Sequence, residues 1–506
     1  MILNDDSDSV TADQPPRWPT LDELFRGALA RRGDVPALAD PPDRYRFTEG
    51  PPRRMSFAEV DCAVAALAAR LKAVLPIDSV VGLQLPNTVE SVVALLAVLR
   101  AGLIAAPLPL LWQRADAADA LGRVGARGLI TSGRVGLVNH ADLATEVAAE
   151  LFSIRFVGAF GHDLPDGVEP LDHVFSASPM LGDNLTRTID PGEHVAVVTF
   201  ETTIDGIMPV ARSHAQLIAG GLAIALEGRI RPETGLLSAL TSTSFAGLAS
   251  TIVLWLINGG TLSLHHPFDA DWLGTQCESE FCDAVVLPGP LLGRVAEAGL
   301  LGSQKTPKAI AVWRAPERFS GAPAAGLNDV TDVFAFGEFG IVPMRRTEGM
   351  PAPLLEGPVT MPGQPSLSLV EVARIAGTLN LRGLMVPRHA FPRGREFGPV
   401  ATPTGFVDTG YPCRRGDDGR LVLDGPPPGL ISIGGYRFSL NDLHEIVGKT
   451  GEDGMLAILP DSLAGYRLSG IAGDCATIRD ALSKRGANSL IVNAFNPRLG
   501  IDASAA

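Results

Sequence analysis

The sequence predicts an α/β fold built on parallel sheets, followed by an antiparallel region and a small α+β unit. Three observations carry this. From about residue 20 to residue 339, amphipathic helical runs alternate with short apolar runs, and strands joined by helices of that length form parallel sheets covered on both faces. After about Phe339 prolines and glycines multiply, helical runs thin out and short strands such as GTLNLRG and GFVDTG appear, the texture of an antiparallel subdomain. DGPPPG (424–429) then makes a stiff, turn-rich joint. Beyond it lies a compact final unit.

Taken in order, TLDELFRGALARR begins with a Thr cap and sets Leu21, Leu24, Phe25 and Leu29 on one helical face. MSFAEVDCAVAALAARLKAVL repeats the design with Phe57, Val60, Val64, Leu67 and Leu71. A strand (VVGLQLP), a helix (TVESVVALLAVLRAG), a strand (IAAPLP), a helix around ADAADALGRVG and a strand (GLITSG) follow. The middle continues through HVAVVTF, AQLIAGGLAIALEG, GLLSALT, ASTIVLWLING, TLSLHH, DAVVLPG, PLLGRVAEAG, AIAVW and DVFAFG. The final unit reads LISIGGYRF, LNDLHEIVG, GMLAILP, YRLSGIAG, IRDALSKRG and SLIVNAF. The pair His265-His266, closing a strand, is expected at an exposed strand end, and His214 as a satisfied histidine opening a helix.

At 506 residues the chain is long enough for two or more domains. A formal net charge of -14 argues against a nucleic-acid partner, since phosphate backbones are met by clustered Lys and Arg. Lysine is confined to Lys72, Lys305, Lys308, Lys449 and Lys484. Five scattered cysteines, Cys62, Cys277, Cys282, Cys413 and Cys475, read as thiols in a reducing cytoplasm; Cys277 and Cys282 lack a second pair at zinc spacing. The first 17 residues are acidic at the start and lack an apolar stretch, so they read as a disordered lead-in rather than a targeting signal. Two apolar segments, 91–112 and 248–264, are interrupted by Arg100, Gly102 and prolines or by Asn258-Gly259-Gly260. Each fits a buried helix, a glycine turn and a buried strand better than a membrane span.

The order of segments resembles the adenylate-forming superfamily: acyl-CoA synthetases, aryl-CoA ligases, luciferases and the adenylation domains of peptide synthetases. MSFAEVDCAVAALAARL, LPNTVESVVALLAVLRAGLIAAPLPL, LWLINGGTLSL, GTLNLRG, GFVDTG, GGYRFSLNDL and LAILPDSLAGYRLSG fall in family order at family-like spacing, from Trp18 to Arg498. The resemblance implies a large N-terminal domain (18–424) of two α/β subdomains plus a small β-barrel, with a small, shortened α+β C-terminal domain (425–506). It also implies AMP-forming activation of a carboxylate with ATP and Mg2+, then transfer to coenzyme A or a pantetheinyl carrier as the small domain rotates.

The residues depart from that pattern where the chemistry sits. The phosphate loop, T-S-G-T-T-G-x-P-K-G in the family, is here Thr199-Phe200-Glu201-Thr202-Thr203-Ile204-Asp205-Gly206-Ile207-Met208, one residue longer before Ser213-His214. The nucleotide-loop equivalents are Thr199, Glu201, Thr202 and Thr203, and the two later hydroxyls suit phosphate. Glycine serves such loops by reaching positive φ and letting N–H groups approach phosphate; Glu201 and Ile204 do not. Two carboxylates, Glu201 and Asp205, are expected to face the phosphates, each pair opposing binding by about 4 kcal/mol at roughly 4 Å and an effective dielectric near 20.

Y-G-x-T-E lines up with Phe336-Gly337-Glu338-Phe339-Gly340, so the magnesium glutamate is Gly340 and Glu338 lies two positions earlier. In T-G-D the ribose aspartate is Tyr411, with Asp408 and Thr409 nearby. Gly337, Glu338, Asp408 and Thr409 are therefore the nucleotide and metal candidates. The hinge motif G-R-x-K-D has become Gly425-Pro426-Pro427-Pro428-Gly429, and prolines restrict φ there. The C-terminal lysine position is Ile501, beyond Arg498 and Gly500. P-L-F-H-x-x-G is Thr241-Ser242-Thr243-Ser244-Phe245-Ala246-Gly247, giving Ser244, Phe245 and Gly247 as acyl-pocket candidates; Ala246, Ala335 and Phe336 add apolar character. Gly434, Gly435 and Tyr436, in Gly434-Gly435-Tyr436-Arg437, match the turn that borders the thiol channel.

Three functions follow. One is a carboxylate-activating ligase with a degraded or rebuilt ATP site. The second is a catalytically silent relative that binds a small carboxylic acid, an acyl thioester such as acyl-CoA, or a carrier protein. The third is a structural partner of an active synthetase in a biosynthetic complex. No residue cluster points to a bound structural metal.

Overall fold

A computed structural model of the chain describes residues 17–496 apart from 179–189, 281, 301–306, 320, 322–326, 328, 393–397, 400 and 462. The lead-in expected over 1–17 therefore lies, Arg17 excepted, outside the described residues, as do Arg498, Gly500 and Ile501.

Local sequence accounts for the helices that pack between the sheets. Thr20 and Ser56 each cap a helix through a reciprocal box with Glu23 and Glu59, satisfying N–H groups that a helix start leaves open. Helix Phe57–Val74 buries Phe57, Val60, Val64, Leu67 and Leu71 as its spacing predicts. Helix Val89–Arg100 is buried along nearly its whole length, and Gly102 at φ +75 turns the chain into strand Ile104–Pro107. The second apolar segment runs through a π-helical turn at Ala249–Val253 into helix Leu254–Asn258, ends at Gly259 with φ +69 and continues as strand Leu262–Leu264. No described helix is long and apolar enough to cross a membrane.

The fold is α/β. One eight-stranded sheet runs, in spatial order, Gly340–Arg345, Val330–Phe336, Lys308–Trp313, Ala284–Pro288, Leu236–Ser238, Leu262–Leu264, Pro36–Ala39 and Arg54–Ser56, parallel except at its two edges. A seven-stranded sheet runs Gly206–Ser213, Val195–Thr203, Ile104–Pro107, Val80–Gln84, Gly128–Ser132, Phe156–Phe160 and Glu169–Pro170. Only its first pair is antiparallel. A five-stranded antiparallel sheet between Gly357 and Leu423 forms a half-barrel. One apolar core, from Leu21 to Leu421, joins all three.

After the joint, hairpins Leu430–Ile433/Tyr436–Ser439 and Gly454–Asp461/Gly465–Ala472 pack with helices Leu440–Gly448, Cys475–Lys484 and Ser489–Ala494. They share a core of their own around Leu443, Ile478, Leu482 and Phe495. The cysteines are free thiols, and among the described residues no group of His, Cys, Asp and Glu is arranged to hold a metal ion.

One expectation fails outright. His265 is buried rather than exposed: Nδ1 pairs with Gln276 at 3.0 Å, and Nε2 accepts the Asp269 N–H. The cause is helix Ala270–Ser279, which folds back over the strand end. His266 is half-buried, with its ring on the edge of Phe47. His214 is buried and accepts from the Leu21 N–H through Nδ1 at 3.2 Å.

Candidate functional site

The stretch from Val195 to Ser213 is a closed hairpin. Its two strands pair down to Thr203 opposite Gly206, leaving only Ile204 and Asp205 as the turn. Thr203 Oγ1 donates to the Gly206 carbonyl at 2.9 Å and accepts from the Asp205 N–H at 3.2 Å. Extended backbone suits β-branched Thr202, Thr203 and Ile207, and among Thr199–Asp205 no glycine releases the chain into an open loop. The sequence leads one to expect a loop here; the chain zips it into sheet instead.

Glu201 points inward and is 3% exposed. Its Oε1 accepts from Arg437 Nη1 at 2.5 Å and its Oε2 from the Glu338 N–H at 2.5 Å. The other terminal nitrogen of Arg437 donates to the Tyr411 hydroxyl, and the guanidinium carbon lies 5.0 Å from the Tyr411 ring centre. Burial opposes the charge on Arg437, but Glu201 and Tyr411 outweigh it and hold its pKa above the ordinary guanidinium value. Burial likewise pushes the Tyr411 phenol up. Gly337 is tied to this arrangement. It sits at φ +58, and a Cβ there would come within 2.1 Å of Glu201 Oε2.

A second charge pair lies alongside. Glu338 is 6% exposed, and its Oε2 caps the short helix Phe245–Leu248 by accepting the Phe245 N–H at 2.7 Å. Arg212, wholly buried, donates to the Glu338 carbonyl and stacks 3.8 Å above the centre of the Phe245 ring, a cation–π contact. Burial lowers the Arg212 pKa to about 10, with Glu338 and Glu201 acting against that shift. Burial raises the Glu338 carboxyl, and Arg212 is the main influence opposing it.

Glu201, Gly337, Glu338 and Arg437 border a cleft of about 280 Å³ between the main body and the final unit. The body contributes Trp112, Asp116, Phe200, Glu201, Thr202, Ser244, Ala246, Arg314, Ala335, Gly337 and Glu338. The final unit contributes Gly435, Tyr436, Arg437, Phe438, Asp442 and Asn488. Direct bonds close the two parts together: the Ala115 N–H donates to the Gly486 carbonyl at 3.1 Å, and Arg318 Nη2 donates to the Gly465 carbonyl at 3.2 Å.

The model of the AMP-binding enzyme family matches residues 25–200. The 2-hydroxy-7-methoxy-5-methyl-1-naphthoate–CoA ligase of Streptomyces carzinostaticus is 28% identical over 466 residues, 84% of this chain and 80% of that protein. The salicyl-AMP ligase / salicyl-S-ArCP synthetase of Mycobacterium tuberculosis is 25% identical over 448 residues, 84% of this chain and 76% of that protein. The chain belongs to the adenylate-forming superfamily. Its fold matches the amide bond synthetase McbA from Marinactinospora thermotolerans with a TM-score of 0.70 at 16% identity, over 94% of each chain.

Within the adenylate-forming frame, the candidate residues separate into those at the cleft and those away from it. Glu201, Thr202, Gly337, Glu338, Ser244, Gly435 and Tyr436 line it. Thr199 and Phe245 lie behind it in contact with Arg212. Gly247 packs so tightly on Thr241 that a Cβ would fall 2.2 Å from its carbonyl oxygen. Ser244 serves as a cap, its hydroxyl accepting the Gly247 N–H at 3.2 Å. Thr203 is held within its own turn, and Asp205 is exposed at the tip.

Asp408 and Thr409 are not among the lining residues. Asp408 is exposed and accepts the Gly410 N–H at 2.8 Å, while Thr409 is buried and donates to the Leu379 carbonyl at 2.7 Å. Gly434 supplies the turn at φ +57, ahead of Gly435 at φ +81.

Sequence reasoning assigned no role to Arg437, Tyr411, Arg212 or Arg314. The available signal was a coupled one. Glu201 and Tyr411 both stand where the adenylate-forming pattern has other residues, and both meet the guanidinium of the retained arginine in Gly-Gly-Tyr-Arg.

Proposed function

We propose that this chain is a catalytically silent member of the adenylate-forming superfamily that binds an acyl or aryl group in the cleft between units 18–424 and 425–506. The observation that carries this reading is the convergence of Glu201, Arg437 and Tyr411. Glu201 replaces a loop glycine and Tyr411 replaces the ribose aspartate. Together with Arg437 they put packed, mutually satisfied protein atoms where the family pattern calls for nucleotide contacts.

MgATP fits these residues poorly. The hairpin engages its backbone in ladder pairs rather than presenting a nest of N–H groups to phosphate. Glu338, the acid nearest the magnesium position, is already bonded to Phe245 and accompanied by Arg212. Stabilising charge that develops on phosphate relies on preorganised donors aimed at it. Here Arg437 donates to a protein carboxylate and a phenol, and Arg212 to a carbonyl.

The ligand class follows from the lining. Trp112, Phe200, Tyr436 and Phe438 offer aromatic surface, and Trp112 and Phe200 pack with ring centres 5.7 Å apart. Apolar walls with a few polar groups are the usual form of a small-molecule site. The ligand is either a free acid or an acyl group carried as a thioester on coenzyme A or on a pantetheinyl carrier.

Calorimetric titration with MgATP and with a non-hydrolysable analogue tests the reading directly. The expected result is no binding at millimolar nucleotide. Micromolar binding would overturn it in favour of a carboxylate-activating ligase with a rebuilt site. That second reading is favoured by the two curated relatives, a CoA ligase and a salicyl-AMP ligase, each matched over 84% of this chain. Carboxylate-dependent pyrophosphate exchange would establish it.

A further inference from the structure

We propose that Arg314 is the anion anchor of the cleft, and that the ligand it selects carries a single carboxylate on an apolar body. The inference rests on the acyl- or aryl-binding reading above and specifies its ligand.

Two arginines line the cleft among the described residues, Arg437 and Arg314, and only Arg437 is bonded to an acid there. Glu201 is matched by Arg437 at 2.5 Å. Glu338 is matched by Arg212, the main positive influence on its buried carboxyl. Asp119 is matched by Arg123 at 2.9 Å. Arg314, the other lining arginine, acts on the Glu338 carboxyl more weakly than Arg212 does and forms no ion pair with it. Among the described residues its guanidinium makes no hydrogen bond and no ion pair. It lies half-buried, 5.1 Å from the centre of the Tyr436 ring.

The position is built rather than incidental. Arg314 directly follows strand Lys308–Trp313, and its aliphatic stem packs against the turn of the final unit. A Cβ on Gly435 would lie only 3.3 Å from Arg314 Cδ. Both ends of the side chain are thus guided, the stem by the glycine turn and the head by the Tyr436 ring, while its N–H donors remain unused.

A planar guanidinium with unused donors matches a carboxylate in fork geometry. A single guanidinium with unbonded donors suits a monoanion. A polyanion such as the phosphate-bearing part of coenzyme A gains nothing further here, because the other lining arginine among the described residues, Arg437, is already bonded to Glu201. The apolar body then lies against Tyr436, Phe438, Trp112 and Phe200.

The test uses the full chain, with benzoate, 2-naphthoate and octanoate as probes, each beside its neutral primary amide, and with coenzyme A. Affinities come from calorimetry. At least one carboxylate is expected to bind, with its amide about tenfold weaker or more, the size of a hydrogen-bonded charge. Arg314→Gln should lose that factor for the carboxylate and leave the amide unchanged, and Arg314→Lys should lie between. Unchanged melting temperatures would show that both variants fold.

Equal affinity for acid and amide, undiminished carboxylate binding by Arg314→Gln, tighter binding of coenzyme A than of every acid, or binding of no acid in the panel would each overturn the proposal. The nucleotide titration is independent of these outcomes. Failure here with no MgATP binding removes Arg314 alone, whereas MgATP binding removes the silent-member reading.

Discussion

Arg437 Nη1 lies 2.5 Å from Glu201 Oε1, joining residues 236 positions apart across the boundary between the main body and the final unit. Their side chains are 9% and 3% exposed. A pair this buried is costly to break from one side, because the survivor keeps its charge without a partner, at about 3–5 kcal/mol. Glu201→Ala and Arg437→Met should each lower the unfolding free energy read from urea titration by an amount in that range. The double variant should lose clearly less than the sum, since each single change already removes the interaction. Additive losses would mean that the pair is not coupled.

Gly337 is the backbone hinge of the same arrangement. Its φ of +58 disfavours any side chain, and an added Cβ would meet Glu201 Oε2 at 2.1 Å. Gly337→Ala should therefore combine a backbone cost of about 1 kcal/mol with displacement of Glu201 from the Glu338 N–H. Chemical denaturation should show a loss of at least about 2 kcal/mol. A variant as stable as the parent would mean that the turn relaxes freely and that Glu201 is not held there.

Tyr411 separates two roles of a single side chain. Its ring packs edge-on to Phe336 with centres 5.4 Å apart, and its hydroxyl accepts from Arg437. Tyr411→Phe keeps the packing and removes the hydrogen bond, which for a charged donor is worth about 1.5–3 kcal/mol. The unfolding midpoint should fall accordingly in the parent. It should fall much less when Arg437→Met is already present. An equal loss in both backgrounds would place the effect in packing.

Most of the fold was legible because its signals are local. Capping residues, helical spacing such as Phe57, Val60, Val64, Leu67 and Leu71, and glycine turns at Gly102 and Gly259 all act within a few residues. The order of segments pointed to the family for the same reason. The site was less legible, because its bonds join distant segments.

Glu201 read in sequence is a carboxylate facing phosphate. In space it is the partner of an arginine in another unit. The hairpin was missed because the expectation of a loop came from the pattern of relatives, while the residues present, Thr202, Thr203 and Ile207, favour strand. His265 was misplaced because nothing in the strand itself reveals that Ala270–Ser279 returns to cover it.

The contact between the main body and the final unit should also respond to pH through Asp116. Its Oδ2 accepts the Gln113 N–H at 3.4 Å, and its carboxylate is also hydrogen-bonded by the side chain of Asn488 in the final unit. Burial raises its pKa to about 7, with Asp119 adding to the shift and those two hydrogen bonds opposing it. Asp442, from the helix Leu440–Gly448, is raised in the same direction by burial, Glu445 and Asp119.

The sign follows from proton counts. An unfolded aspartate titrates near about 3.9, so between roughly pH 4 and 7 the folded protein holds a proton that the unfolded chain has released. Stability from this group therefore falls as pH rises across that window and is level above it. Asp116→Asn keeps an acceptor for Gln113 and cannot ionise. Parent and variant should approach one another toward pH 5, with the variant melting ~1 °C higher at pH 8 for each kcal/mol recovered in a chain of this length. The Asp40 carboxyl, raised to about 6 by burial and Glu90, is common to both proteins and cancels in the difference. Melting curves recorded from pH 5 to 8.5 decide the matter: a difference that does not grow with pH would show that Asp116 is already ionised in the folded chain.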